Sequence, residues 1–170
     1  MPTTAIDPPG IVWLRVSPKY VTVRLVEWAL GNVIAVVVLS LPLILVLAGW
    51  WVWPPLWLAV AIPSVMLLLA LWRLVLIPRQ VRAIGYAERE DDLLIRGGIF
   101  FQRVMVVPYG RMQYVDISAG PVERWLGLCT LHLHTASAGT NALIPGLPEA
   151  EGARLREQLS ARGEARLAGL

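Results

Sequence analysis

Between Glu27 and Arg73 lie 45 consecutive residues without a single Asp, Glu, Lys or Arg. As one helix that run would extend roughly 67 Å, about twice the ~30 Å hydrocarbon core of a bilayer. Near its middle stands Trp50-Trp51-Val52-Trp53-Pro54-Pro55. Adjacent prolines lack the N–H donors a helix interior needs and clash with the preceding carbonyls. The pattern predicts two membrane-spanning helices joined by a very short connection.

The rest of the composition agrees. The chain has 170 residues, 56 % of them hydrophobic, and a mean hydropathy of +0.61. Roughly 27 residues precede the spans and about 93 follow, enough for one small soluble domain on the C-terminal side. Met1 to Gly10 carries no basic segment, and the first apolar run exceeds that of a signal peptide, so the first span is expected to be a retained anchor. The net charge of +3 divides evenly: +1 in residues 1–27, +1 at Arg73 and +1 in residues 78–170. So nearly neutral a soluble part lacks the basic footprint that nucleic-acid binding requires. The single cysteine, Cys129, excludes an internal disulfide and a cysteine-based zinc cluster, and fits a reducing compartment.

Ser17-Pro18 starts the first helix, with Ser as N-cap and Pro where a missing N–H costs nothing. The spacing predicts helices over about 18–50 and 56–77, with spans at about 28–50 and 56–77. Trp28, Trp50, Trp51, Trp53, Trp57 and Trp72 fall at their edges, where an amphipathic indole is favoured. Gly31-x-x-x-Ala35 and Asn32 are packing features of such helices, and Pro42 and Pro63 are expected to kink them. Arg15, Lys19 and Arg24 precede the first span, and Arg73, Arg79 and Arg82 close the second. The connection between the spans has no basic residue, so the positive-inside rule puts both termini in the cytoplasm.

After Pro78 the periodicity becomes alternating. Strands are expected at Val81–Ala87, Leu93–Arg96, Ile99–Val107, Met112–Ser118, Leu128–Thr135 and Asn141–Ile144. Gly97-Gly98 reads as a two-residue hairpin turn, Glu90-Asp91-Asp92 as a solvated turn, and Gly120-Pro121 as the start of a short helical turn. A helix is expected over Pro148–Arg162, with Leu155 and Leu159 on one face. Six short strands and one helix make a small antiparallel barrel or sandwich with a helical cap.

Two runs, Val107-Pro108-Tyr109-Gly110-Arg111-Met112-Gln113-Tyr114-Val115-Asp116-Ile117 and Gly120-Pro121-Val122-Glu123-Arg124-Trp125-Leu126-Gly127-Leu128, follow the two spans. With Leu131-His132-Leu133-His134-Thr135-Ala136 and Ile144-Pro145-Gly146-Leu147, this ordered set resembles the bacterial pleckstrin-homology-like (PH-like) membrane proteins over roughly residues 12–162. The resemblance implies two packed antiparallel sheets with a C-terminal helix plugging one end, in a bacterial inner membrane. Members often carry a more polar strand where this chain has His132 and His134. The expected layout is that of an α+β membrane protein. Residues 1–17 form a cytoplasmic tail, 18–77 a transmembrane hairpin, 78–162 a cytoplasmic PH-like domain and 163–170 a flexible tail.

Catalysis finds little support. There is no Gly-x-Ser-x-Gly elbow, no phosphate-cradling loop (Lys19 is the sole lysine) and no dinucleotide fingerprint. No cofactor is implied. His132 and His134 share one strand face, a spacing metal sites use, but a site needs Asp116 or Glu123 brought close. Their bland reading is a solvated face, with Cys129 a small core residue. The expected function is a non-enzymatic interaction or assembly module that binds a partner protein, itself, or a larger membrane complex. The alternatives are an anionic-lipid sensor and a metal-binding protein or enzyme built on His132 and His134. Arg73, Arg79, Arg82, Arg111 and Arg124 are the candidate contacts to lipid headgroups or a partner.

Overall fold

The computed structural model describes residues 10–50, 55–135 and 142–167. The expected interface residues Trp51 and Trp53, the turn at Pro54, and the ends of two expected segments at Ala136 and Asn141 lie outside them. The chain forms two compact units, one of residues 22–78 and one of residues 1–21 with 79–170.

The first unit is a helix pair, α1 (Tyr20–Leu47) and α2 (Leu56–Ala83), named here with the turns that run on beyond the unit. Each has 28 residues, about 42 Å of helix, and is long and apolar enough to cross a membrane. Leu30, Val33, Ile34, Val37 and Val38 of α1 and Val65, Leu67, Leu68, Leu71 and Val75 of α2 face outwards, a surface that only lipid or another apolar body would cover. Ser40 and Ser64 hydroxyls donate to the carbonyls of Val36 (2.6 Å) and Val60 (2.8 Å), so neither polar group is left open in the apolar stretch.

Pro78 does not stop α2, which continues to Ala83. The expected strand Val81–Ala87 is therefore helical in its first half. Val81 and Ile84 are three residues apart and both pack on the soluble core, which rewards a helical turn over an alternating strand.

The second unit is a sandwich of two antiparallel sheets. One sheet has the order β1-β2-β3-β4, made of Leu14–Arg15, Gly85–Glu88, Asp92–Gly97 and Arg103–Pro108. The other is β5-β6-β7, made of Met112–Ser118, Leu128–Thr135 and Ala142–Pro148. The sheets stay separate, so the expected barrel-or-sandwich alternative resolves to a sandwich. A 3-10 turn, Tyr109–Arg111, links them, α3 (Pro121–Trp125) fills the β5–β6 connection, and α4 (Glu149–Leu167) lies across β5, β6 and β7. Leu93, Leu131, Leu133, Ile144, Leu155 and Leu159 are wholly buried, each contributing about 1.5–3 kcal/mol through lost water contact.

Four further differences from the sequence reading have physical causes. The segment expected to be a cytoplasmic N-terminal tail, residues 1–17, supplies β1, which pairs Leu14 with Tyr86 and Arg15 with Gly85, while Val16 enters the core. The Gly97-Gly98 turn is instead a five-residue loop closed by the Gly97–Arg103 pair. Gly98, at φ +97°, backs so closely onto the Phe101 carbonyl that no side chain fits. Finally, β7 passes through Pro145. It is an outer strand, where a missing N–H is tolerated, and Pro145-Gly146 sits in a bulge between the Leu131–Ile144 and Cys129–Leu147 pairs. Helix α4 also outruns its expected end at Arg162 by five residues. Gly163, which reads as a stop, is buried close to the Tyr109 carbonyl oxygen, and Glu164 and Ala165 are good helix formers.

Candidate functional site

Strand register sets the histidine face. On β6, Cys129, Leu131 and Leu133 point into the core while His132 and His134 are half-buried on the opposite face. His132 Nε2 lies 2.8 Å from Ser118 Oγ, and the His134 ring stacks on Tyr114 with centroids 4.2 Å apart. Of the two carboxylates a metal site would need, Asp116 stands opposite His132 in the β5–β6 register and Glu123 is engaged elsewhere. Asp116 Oδ1 accepts the Ile117 N–H at 2.8 Å; Glu123 accepts the Gly120 N–H at 2.9 Å and the Thr130 hydroxyl at 2.8 Å. Among the described residues, no three His, Cys, Asp or Glu side chains converge. What the arrangement supports is cross-strand packing and hydrogen bonding.

The segments that carry the family resemblance are mostly scaffold. Tyr109 is fully buried, its hydroxyl donating to the Arg89 carbonyl at 3.0 Å. Arg162 of α4 donates to that hydroxyl and to the same carbonyl, both at 3.0 Å, with its guanidinium 5.2 Å from the Tyr109 ring centroid. Burial pushes the Tyr109 hydroxyl's pKa up. The other end of α4 is tied by Arg154, which bridges Glu88 (2.6 Å) and Glu151 (2.7 Å), while Tyr86 donates to Glu151 at 2.8 Å. Arg154 holds the Glu151 carboxyl below its usual range, and burial pushes the Tyr86 hydroxyl up. These groups fasten the helical cap to the end of β2 and to the 3-10 turn.

The surface that remains unexplained by packing lies along β4. It is the outer strand of its sheet, and Met105 and Val106 are exposed on it. Phe100 and Phe101, the chain's two phenylalanines, stand out in the preceding loop, Phe101 at 83 % exposure. Arg103 at the start of β4 and Arg111 just beyond its end are both exposed, and neither makes an ion pair or hydrogen bond among the described residues. The sequence did carry a signal for this: two adjacent aromatics cannot both follow an inward alternation, so one at least had to face out.

The five candidate arginines do not gather in one place. Arg79 and Arg82 are exposed in the last turns of α2, three residues apart. Arg111 ends the 3-10 turn and Arg124 lies in α3. Neither pairs with Asp116 or Glu123, whose oxygens are taken up locally. Arg73 belongs to the helix pair, where it lines a cleft with Arg24, Glu27, Trp28 and Asn32.

Comparison with known proteins fits this architecture. The family model described as the bacterial PH domain matches residues 21–163. The transmembrane protein YdbS of Bacillus subtilis (strain 168) is 32 % identical over 161 residues, covering 94 % of this chain and 91 % of that protein. No solved structure matches the chain. A match of this extent, on a two-sheet domain capped by a C-terminal helix and joined to two membrane-capable helices, places the chain in the bacterial PH domain family as a membrane-associated PH-like module.

Proposed function

We propose that the protein is a non-enzymatic interaction or assembly module, held by two spans at the cytoplasmic face of the inner membrane, that docks an extended segment of a partner protein along β4. The observation that carries this is the open edge itself. An outer strand offers unpaired main-chain donors and acceptors, and an added strand gains hydrogen bonds there while side-chain contacts set specificity. Met105, Val106, Phe100 and Phe101 make that edge apolar, and Arg103 and Arg111 make its ends basic. The chemistry suits a partner segment with apolar residues between acidic ends.

The membrane setting draws support from the relative, which is named a transmembrane protein. The pairing of β1 with β2 supports a hairpin topology, because it joins residues before the first span to residues after the second. Both flanks then lie on one side of any bilayer the helices cross. The basic residues of those flanks, set against none in the connection, favour the cytoplasmic side.

The test is a photo-crosslinking residue at position 106 in native membranes, with position 143 as control, since Leu143 is equally exposed on β7. The reading expects a discrete adduct from position 106, lost in an Arg103→Glu variant. Val106→Glu should abolish co-purification of the same species while shifting stability by no more than about 0.5 kcal/mol, as for other surface changes. Equal adducts from both positions, unaffected by Arg103→Glu, would refute docking at β4.

A further inference from the structure

The helix pair contains a cleft of about 370 Å³ lined by Arg24, Glu27, Trp28, Gly31, Asn32, Ala35, Met66, Arg73 and Ile77. It straddles the point where charge gives way to the apolar run, with Arg24, Glu27 and Arg73 at the charged end. We propose that this cleft binds one phosphate group, that of a singly anionic phospholipid headgroup.

Charge is the first argument. Arg24 and Glu27 form a pair at 3.4 Å, whereas Arg73 makes no ion pair or hydrogen bond among the described residues. The three groups sum to +1, and a cation at the edge of a hydrocarbon layer is costly until an anion neutralises it. One phosphodiester supplies that single charge and several acceptor oxygens, the geometry that a guanidinium binds well.

Hydrogen bonding is the second. The Trp28 indole N–H is closed off from solvent and has no acceptor, a state buried donors rarely keep. Asn32 Nδ2 is already spent on the Trp28 carbonyl at 2.8 Å, so it does not relieve the indole. A group made of acceptor oxygens answers the unpaired guanidinium of Arg73, while the Trp28 N–H, closed off from solvent, lies out of its direct reach.

Shape is the third. Gly31 lines the cleft, and a Cβ built there would meet nothing within 4 Å. The space next to the polar groups is open without backbone strain. Gly31 with Ala35 therefore reads here as room for a ligand, where the spacing alone reads as a helix contact.

The experiment uses full-length protein in dodecyl maltoside, with native mass spectrometry to count bound phosphatidylglycerol, phosphatidylcholine or inorganic phosphate. The cleft predicts one phosphatidylglycerol bound at least about tenfold more tightly than phosphatidylcholine, and a loss of about tenfold in Arg73→Gln. Gly31→Phe should abolish binding by filling the cleft, and Arg156→Gln, exposed on α4 and outside it, should leave binding unchanged. Circular dichroism of each variant checks that the helices persist. Displacement of the lipid by millimolar inorganic phosphate would make free phosphate the source, and the phosphate site would stand. Equal binding of the two lipids, or unchanged binding in both Arg73→Gln and Gly31→Phe, would overturn the proposal.

Discussion

At the scale of single residues, the domain depends on close approach more than on charge. Gly152 of α4 faces Cys129 so directly that an added methyl would overlap the sulfur. Gly152→Ala should therefore destabilise the protein by about 1–3 kcal/mol, the usual range for overpacking. Combining it with Cys129→Ala should restore part of that loss, since the two side chains share one space. Thermal unfolding of the three variants measures this coupling, and a neutral Gly152→Ala would show that α4 does not press on β6. The two residues were unequally legible. Alternation along Leu128–Thr135 marks Cys129 as inward, and burial does push its thiol's pKa up, keeping it protonated and unreactive. Gly152, by contrast, reads in sequence only as a weak helix position. Gly146 is similar: it holds a φ of +68° and packs against Tyr20, a partner 126 positions away that no local pattern reveals. The candidate arginines were legible as charges near a membrane, but their separation into different surfaces was not.

At the scale of elements, local signals did well and pairing between distant segments did not. Both long helices, β5, β6, α3 and the start of α4 follow from turn residues and periodicity. Val81–Ala87 misleads because valine, alanine and glycine at alternate positions look like a strand, while Val81 and Ile84 also satisfy a helical spacing. Strand β1 has only two residues and exists because β2 lies beside it, across two membrane-capable helices in the sequence. Its role makes a prediction. The Ser17 N–H donates to the Gly146 carbonyl at 2.9 Å, Val16 is buried, and Arg96 lies 4.7 Å from the Trp13 ring centroid. A fragment of residues 79–170 should thus lack cooperative thermal unfolding, with β2 exposed as a new edge and a hole left by Val16. The same fragment with residues 10–21 fused through a flexible linker should regain it. Equal melting of both would mean that the N-terminal segment is dispensable. The candidate edge at β4 was only half legible, since the hairpin it follows was expected to be tighter than the loop that lifts Phe100 and Phe101 outwards.

At the scale of the molecule, one domain is built from residues that precede and residues that follow the helix pair in the sequence. That construction links the fold to the proposed role. A domain closed by residues from both flanks is tethered to the helix pair at two points in the chain, before α1 and after α2. The cleft in the helix pair was invisible in sequence because it needs Arg24 and Arg73, 49 positions apart, to face one another across two helices. Both flanks must share the cytoplasmic side for the proposed docking, and thiol labelling with a membrane-impermeant maleimide tests this. In a Cys129→Ala background, Val12→Cys and Glu90→Cys, both at exposed positions, should be labelled only after cells are permeabilised. Trp50→Cys, three residues past the end of α1, should be labelled in intact cells. Labelling of Val12→Cys and Glu90→Cys on opposite sides, or of both in intact cells, would contradict the account.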